Sequence, residues 1–585
     1  MKADFIIKNA DIFGAEGARA AAVRDGRIVK VGTDEEVLAA MSEGADKSGS
    51  AADCTEIIDG QGHTLLPAFV DAHLHPSMSV SVTSGVKLYD ILREDGESRE
   101  DYIARVMAAV KEYHDNENKR SVLIGNGWVP AAFTTDPEGL PTRHDLDKVC
   151  PDIPAVLRSF DAHAMLINTK AMEAAGFDKN TQDPRGGIFG REPDGTPDGI
   201  LHEMGAMQML LDRLPEADFT VEENEKGILW FQENIALPHG ITSVFDALPS
   251  DNAIKAYENL ARRGELKIHV SGSFAADPLK DESQFDKMIE EFGRHNIGDS
   301  FQIKTIKFFM DDGAFGFMTY EPFEKEFLQA NGMPEDYCGE ALWTSEELNR
   351  IFLKLSRAGY QIHVHCMGDG AVKHTLDAFE YVDSQGVKGT RNVITHIMNI
   401  RDEDVIRMKK LDVIAAMQPS WPVIDDFIMY GVLPMFGKKR SYEQYPIGRL
   451  FKAGITVTGS TDYPVVQNID PFLGIQTGAT RTMPKSNPSY EKYKGIISGS
   501  DDDPTRDCMT LHDMIDTYTK NGSYQLFTED RLGTVQEGKL ADLLLLDKNI
   551  NDIDIMDVEN LKIEKMFVNG ELIQGPAGNP AEMKL

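Results

Sequence analysis

The 585-residue sequence predicts an α/β barrel joined to a small β-domain built from both chain ends. Three observations carry that prediction. From about residue 300 short apolar strands alternate with amphipathic helices, the rhythm of repeated βα units on a parallel sheet. His365, His396 and Asp462 end three different strands, as barrel enzymes place their reactive groups, and no GxGxxG follows an early strand to suggest a dinucleotide fold. Hairpin signals of the same kind occur near both termini, which are expected to pair.

Taken in order, DFIIKNADIF and AAAVRDGRIVKVG read as short strands, with Asp25 and Gly26 as a two-residue hairpin turn. Residues 85 to 225 are rich in Pro, Gly and Asp, as in DPRGGIFGREPDGTPDG, and their βα rhythm is poor; they read as an insertion that covers a site. IKTIKFF is a strand, followed by a helix from near Thr344 in which Leu348, Ile351, Phe352 and Leu355 fall at i, i+3, i+4 and i+7. YQIHVHC leads into a helix carrying Val372, Leu376 and Phe379. NVITH, VIAAMQ and ITVTGS continue the strands, with helices such as EDVIRMKKL between them. GKLADLLLLDKN and KIEKMFVNGELI close the chain as strands, the latter turning at Asn569 and Gly570.

Composition excludes several function classes. With 60 Lys and Arg against 95 Asp and Glu the net charge is −35, which repels a phosphate backbone, and no basic stripe survives the surrounding acids; nucleic acid is not an expected partner. Five cysteines without a CxxC pair suggest neither a disulfide framework nor a zinc knuckle. The N-terminal MKADFIIKNADIF lacks a secretory apolar run, and no run of about 18 apolar residues occurs, so a cytoplasmic protein away from membranes is expected.

The sharpest chemical signal is LLPAFVDAHLHP. His73 and His75 flank Leu74 on a strand, so both imidazoles share a face and reach one cation; the alternative is two histidines on a polar strand face. His363 and His365 share a face by the same parity, and His396 ends RNVITH; one of the pair 363 and 365 is expected to ligate, the other to pack or support. Lys307 lies inside the apolar TIKFFMDDG. Burial lowers a lysine pKa and a neutral amine adds carbon dioxide to give a carbamate with two metal-bridging oxygens, whereas the plainer reading is a snorkelling lysine paired with Asp311 or Asp312. Asp462, after Gly459, Ser460 and Thr461, is either a general base beside a metal or a helix cap.

Together and in this order these motifs resemble the amidohydrolase superfamily of metal-dependent hydrolases, and within it the YtcJ-like branch, amidohydrolase family 3. DAHLH is similar to its first-strand HxH, IKFFMDDG to its lysine and DG segment, HCMGDGAV to its HxxGDxA and GSTDYPV to its SDxPV. IGNGWVPAAF, LPTRHDLD, FDAHAMLINTKAMEAAG, DPRGGIFGREPDGTPDGILHE and DRLGTVQEGKLADLLLLD also resemble its recurring phrases, so the likeness spans nearly the whole chain. It implies a TIM-type (β/α)8 barrel over residues 67–509 with an insertion at about 85–225. A β-sandwich would be completed by residues 1–66 and by 510–585, which also supply the last barrel helix. It implies two divalent metal ions, zinc for preference: His73 and His75 on one, His365 and His396 on the other, a carboxylated Lys307 bridging both, and Asp462 as ligand and general base. Two departures, Ala68 after Pro67 in place of Gly and Thr395 in place of Glu before His396, point to altered hydrogen bonding beside the metals.

The activity expected is hydrolysis of a non-peptide C–N bond of a small amide-type molecule through a metal-activated water. Ester hydrolysis, deamination or isomerisation at the same centre, or metal binding without turnover, are the alternatives. Trp128, His163, Phe315 and Trp421 are candidate substrate contacts, with plain packing as the competing role; Met310 and Phe317 hint at an apolar pocket beside them. A homodimer is left open.

Overall fold

A computed structural model describes residues 3–42, 55–89, 91–94, 96–118, 120–133, 139–159, 163–311, 316–466 and 468–573. Eight parallel strands make the central barrel: β1 (Phe69–Leu74), β2 (Ile241–Asp246), β3 (His269–Ala275), β4 (Phe301–Phe309), β5 (Gln361–Cys366), β6 (Val393–His396), β7 (Ile414–Met417) and β8 (Val457–Gly459), each hydrogen-bonded to its successor. β2 and β3 precede the stretch where the βα rhythm is legible in sequence. Both are buried along most of their length; ITSVFD shows no alternation of apolar and polar residues, and HVSGSFA alternates only through the small Ser271, Gly272 and Ser273.

The expected helices form where the periodicity lies. Thr344 caps Ser345–Arg357 in a capping box with Glu347, and Leu348, Ile351, Phe352 and Leu355 are buried on one face. Val372, Leu376 and Phe379 are buried on Asp369–Ser384, and EDVIRMKKL falls on Asp402–Lys410. These faces pack on the outside of the barrel and merge with its strands into one apolar core.

Two further sheets flank the barrel. Phe5–Lys8, Ala20–Arg24, Arg27–Gly32 and Glu56–Asp59 form one; Asp11–Ile12, Thr64–Pro67, Leu543–Leu546, Ile563–Val568 and Glu571–Ile573 form the other, drawn from both chain ends. The faces join through a core that includes Ile7, Val23, Leu65, Leu543 and Phe567, and the rings of Phe5 and Phe567 stack at 4.7 Å. Both expected hairpins are present, turning at Asp25–Gly26 and Asn569–Gly570.

The stretch from about 85 to 225, expected as an insertion, builds a six-stranded sheet of its own, in the order Ile188–Arg191, Pro197–His202, Ala164–Ile167, Ala155–Ser159, Leu123–Trp128, Val86–Lys87. DPRGGIFGREPDGTPDG is one hairpin of it. Its strands are short and mostly antiparallel on one side and parallel on the other, so no single period marks them in sequence. No helix among the described residues is long and apolar enough to cross a membrane.

Candidate metal centre

Strand alternation sends His73 of β1 and the following His75 to one end of the barrel, where β8 delivers Asp462. Asp462 Oδ1 lies 3.3 Å from His73 Nε2 and 3.2 Å from His75 Nε2. The three ligand atoms sit within 4.8 Å of one another and all three residues are buried. His73 Nε2 and Asp462 Oδ1 are nonetheless without a hydrogen-bond partner. Buried polar atoms that converge without bonding are what a cation between them would satisfy, and two imidazoles with a carboxylate suit a zinc-like ion.

The other histidines close around the same point. His396 lies 5.0 Å, ring to ring, from His73 and 4.7 Å from His365. Both use Nδ1 elsewhere: His365 on Asp311 Oδ1 at 3.2 Å and His396 on Gln418 Oε1 at 2.9 Å. That leaves Nε2 of each ring as the atom able to ligate, an orientation metal-binding histidines commonly owe to such partners. His363 is set apart from His365 by its engagement with His73, Nε2 to Nδ1 at 2.8 Å, which turns His73 Nε2 toward Asp462.

Lys307 on β4 is 1% exposed, its Nζ 4.9 Å from the centre of the Phe309 ring. The lysine-to-Asp311 pairing considered above is not made. Asp311 instead accepts the backbone amides of Met318, in the segment after β4, and of Met367 and Gly368, in the turn after β5, and holds His365. Asp312 and Phe315 lie outside the described residues. Burial pulls the Lys307 amine down to about 7, against the opposing pull of Asp462. Burial also lowers His73, His363, His365 and His396 well below the usual imidazole value, which keeps them in the neutral, ligating form. Asp462, which burial alone would push up, is held well below the usual carboxylate value by His73 and His75 beside it.

Several supporting residues were not singled out from sequence. Asp71, two residues before His73 on the same strand, accepts the amides of His73 and Thr461 at 3.2 Å each and the Thr461 hydroxyl at 2.6 Å. Burial pushes its carboxyl up to about 7 despite those bonds. Asp246 at the end of β2 accepts the Ser77 amide and the Tyr257 hydroxyl, fixing the turn after His75. Gln418 donates to Ser460 Oγ while holding His396. The i−2 spacing in DAH was the one visible signal for Asp71; Gln418 and Asp246 had none. Thr395 spends its hydroxyl on the Ala416 carbonyl, away from the metal-facing atoms.

A cavity of about 3400 Å³ opens over this centre, between the barrel mouth and the inserted sheet. His73, His75, Lys307, His365, His396 and Asp462 all line it, as do His163, Phe317 and Trp421. Trp421 stacks on His396, 5.5 Å between rings and 3° from parallel. His163 Nδ1 pairs with Glu203 Oε2 at 2.7 Å. Trp128 is a correction: it is 2% exposed, packs in the insertion's core and donates Nε1 to the Leu157 carbonyl, taking the packing role. Arg158 pairs with Asn126 but Ser159 with Trp128, so Gly127 is an extra residue in the strand and turns Trp128 to the face opposite Asn126. Met310 likewise belongs to the core.

The chain belongs to the amidohydrolase family, whose model matches residues 56–574. It is 27% identical over 574 residues to YtcJ of Bacillus subtilis, itself assigned to the amidohydrolases, covering 95% of this chain and 96% of that protein. It is 24% identical to the N-substituted formamide deformylase of Arthrobacter pascens, over 97% and 98% of the two chains. Among solved structures, an uncharacterized metal-dependent hydrolase of Pyrococcus horikoshii shares the fold with a TM-score of 0.68 and 22% identity, over 94% of this chain and 98% of that one. The chain is thus a hydrolase of the amidohydrolase family with the barrel of metal-dependent relatives.

Proposed function

We propose that this enzyme hydrolyses a non-peptide C–N bond of a small amide, with Asp462 as general base. The observation that carries this reading is the meeting of His73, His75 and Asp462 at the floor of the cavity, with His73 Nε2 and Asp462 Oδ1 buried and unbonded. In this reading His73 and His75 would hold one divalent ion and His365 and His396 a second, with Lys307, as its carbamate, a further oxygen donor to them; zinc would suit the donor set. Such ions supply, when bound, a more acidic water and a polarised scissile carbonyl. Asp462, ionised at neutral pH, takes a proton at its carboxylate and returns it to the leaving nitrogen. His73 is held in the ligating orientation by His363, His365 by Asp311 and His396 by Gln418, so no part of the donor set has to reorganise during turnover. His163, Phe317 and Trp421 line the wall where the acyl and amine groups rest. The full-length likeness to a formamide deformylase supports N-formyl and other N-acyl amines as the class to test first. A reducing cytoplasm suits Cys150, Cys338, Cys366 and Cys508, which carry no disulfide.

The test is a screen of N-formyl, N-acyl and cyclic amides with zinc-loaded enzyme, reading released amine or acid. Asp462→Asn is expected to keep the fold and lower turnover about a hundredfold or more. Hydrolysis of esters, or deamination, with no amide cleaved would replace this reading.

A further inference from the structure

We propose that Arg158 and Asn126 form an anion subsite in the active-site cavity, and that the substrate carries a carboxylate at the end remote from its scissile bond. The proposal rests on the amide-hydrolase reading above and adds the substrate class.

Arg158 and Asn126 stand side by side on neighbouring parallel strands of the inserted sheet, as direct Cα partners. Paired residues of adjacent strands project to the same face, and here that face is the cavity wall, which both residues line. Asn126 is 5% exposed and its Nδ2 is buried without a partner. The Arg158 side chain makes no hydrogen bond or ion pair with any described residue, and burial depresses its pKa. Asp218, whose charge Arg158 feels, has its oxygens engaged by the Phe219 amide at 2.8 Å and the Asn252 side chain at 3.4 Å. A half-buried guanidinium and a buried amide therefore face one cavity, and neither side chain has a hydrogen-bond acceptor from a described residue, Asp218 acting on Arg158 only through its charge.

Guanidinium does not shed its proton under these conditions, and Asp218, which acts on it without a hydrogen bond, leaves its N–H donors for an anion in the cavity. Its planar fork matches the two oxygens of a carboxylate, and the Asn126 amide adds a further donor from the next strand. The local backbone serves this arrangement. Gly127 has φ +107° and a Cβ there would lie 2.5 Å from the Tyr89 backbone nitrogen, so the bulge that faces Asn126 into the cavity also lets Tyr89 close beside it. Arg158 is also removed from the reacting centre. It stands on the inserted sheet, beside the Ser81 and Tyr89 hydroxyls, which lie 3.4 Å apart and with it line the cavity, whereas Asp462 and the histidines stand at the barrel mouth. A group bound at Arg158 is thus separate from the amide being cleaved.

The experiment compares 6-acetamidohexanoate with N-(6-hydroxyhexyl)acetamide as substrates, and hexanoate with hexan-1-ol as ligands by calorimetry, on the intact zinc-loaded enzyme. The acid is expected to be favoured about tenfold to a hundredfold, through KM rather than kcat. Arg158→Gln is expected to level both ratios and Arg158→Lys to retain part of them. Asn126→Asp, which sets a fixed anion beside the guanidinium, is expected to abolish the preference and serves as an independent variant if Arg158→Gln does not fold. An undiminished preference for the acid in Arg158→Gln, or in Asn126→Asp, overturns the subsite. If neither amide is cleaved while hexanoate binding is lost in Arg158→Gln, the subsite stands and amide hydrolysis is the reading that fails.

Discussion

The backbone amide of Asp462 donates to the carbonyl of His73 at 2.9 Å. The proposed general base and the first proposed metal ligand are therefore also a stitch between the two ends of the barrel sheet. A second bond, from the His75 amide to the Tyr463 carbonyl at 2.7 Å, lies directly beyond it. Asp71 braces the same seam from below by accepting amides from both sides, at His73 and Thr461. The residues that close the barrel are thus the ones that assemble the site. Asp462 itself has φ +61° and His396 φ +75°, conformations that non-glycine residues adopt at a cost and that the surrounding bonds must sustain.

Metal content follows from the donor set. The purified enzyme is expected to hold up to two divalent ions per chain, and His73→Ala or His396→Ala to lower both the ion count and activity. Elemental analysis that finds the same count in wild type and both variants would remove these residues as ligands.

Asp71 touches no proposed ligand atom, yet it orients the His73 backbone and Thr461. Asp71→Asn keeps the shape and one oxygen for the two amides but replaces the oxygen that accepts the Thr461 hydroxyl by a donor, and is expected to weaken metal affinity or activity about tenfold to a hundredfold. Chelator competition measures it; affinity and turnover equal to wild type would reduce Asp71 to a packing residue.

The carbamate on Lys307 requires a neutral amine, and burial that brings its pKa to about 7 makes one available near neutral pH. A carbon-13 carbamate signal from labelled bicarbonate is expected in the metal-loaded enzyme. Lys307→Ala is expected to lose activity and to recover part of it with a short carboxylic acid in solution. A bare amine in fully active enzyme would instead favour a single ion on His73, His75 and Asp462.

His269 on β3 joins the barrel to the terminal sheets: Nε2 meets Asp542 Oδ2 at 3.1 Å and Nδ1 meets the Asp299 carbonyl at 2.9 Å. Burial alone would lower this imidazole, but Asp542 and the carbonyl outweigh it and the net shift is upward. A histidine raised in the folded state stabilises fully below its unfolded value of about 6.5 and loses that contribution as pH rises through the folded value. The Tm lost in Asp542→Asn is therefore expected to be larger at pH 6 than at pH 8.5. Equal losses at both would show that His269 stays neutral throughout.

Local pattern alone determined much of this molecule. The 3.6-residue spacing of Leu348, Ile351, Phe352 and Leu355, the turns at Asp25–Gly26 and Asn569–Gly570, and the shared face of His73 and His75 each depend on neighbours within a few positions, which is where backbone geometry acts. Tertiary structure decided the rest. His363 is marked off from His365 by a ring 290 residues away in sequence, and Asp311 turns to His365 instead of Lys307 where two amides after β5, of Met367 and Gly368, and a third from Met318 after β4 converge on it. Parity would have put Asn126 and Trp128 on one face, but the extra residue at Gly127 sends one to the cavity and the other to the core. Periodicity counts residues along one strand, whereas a bulge and a side chain's partner are set by the strand beside it, and that neighbour exists only once the sheet has formed.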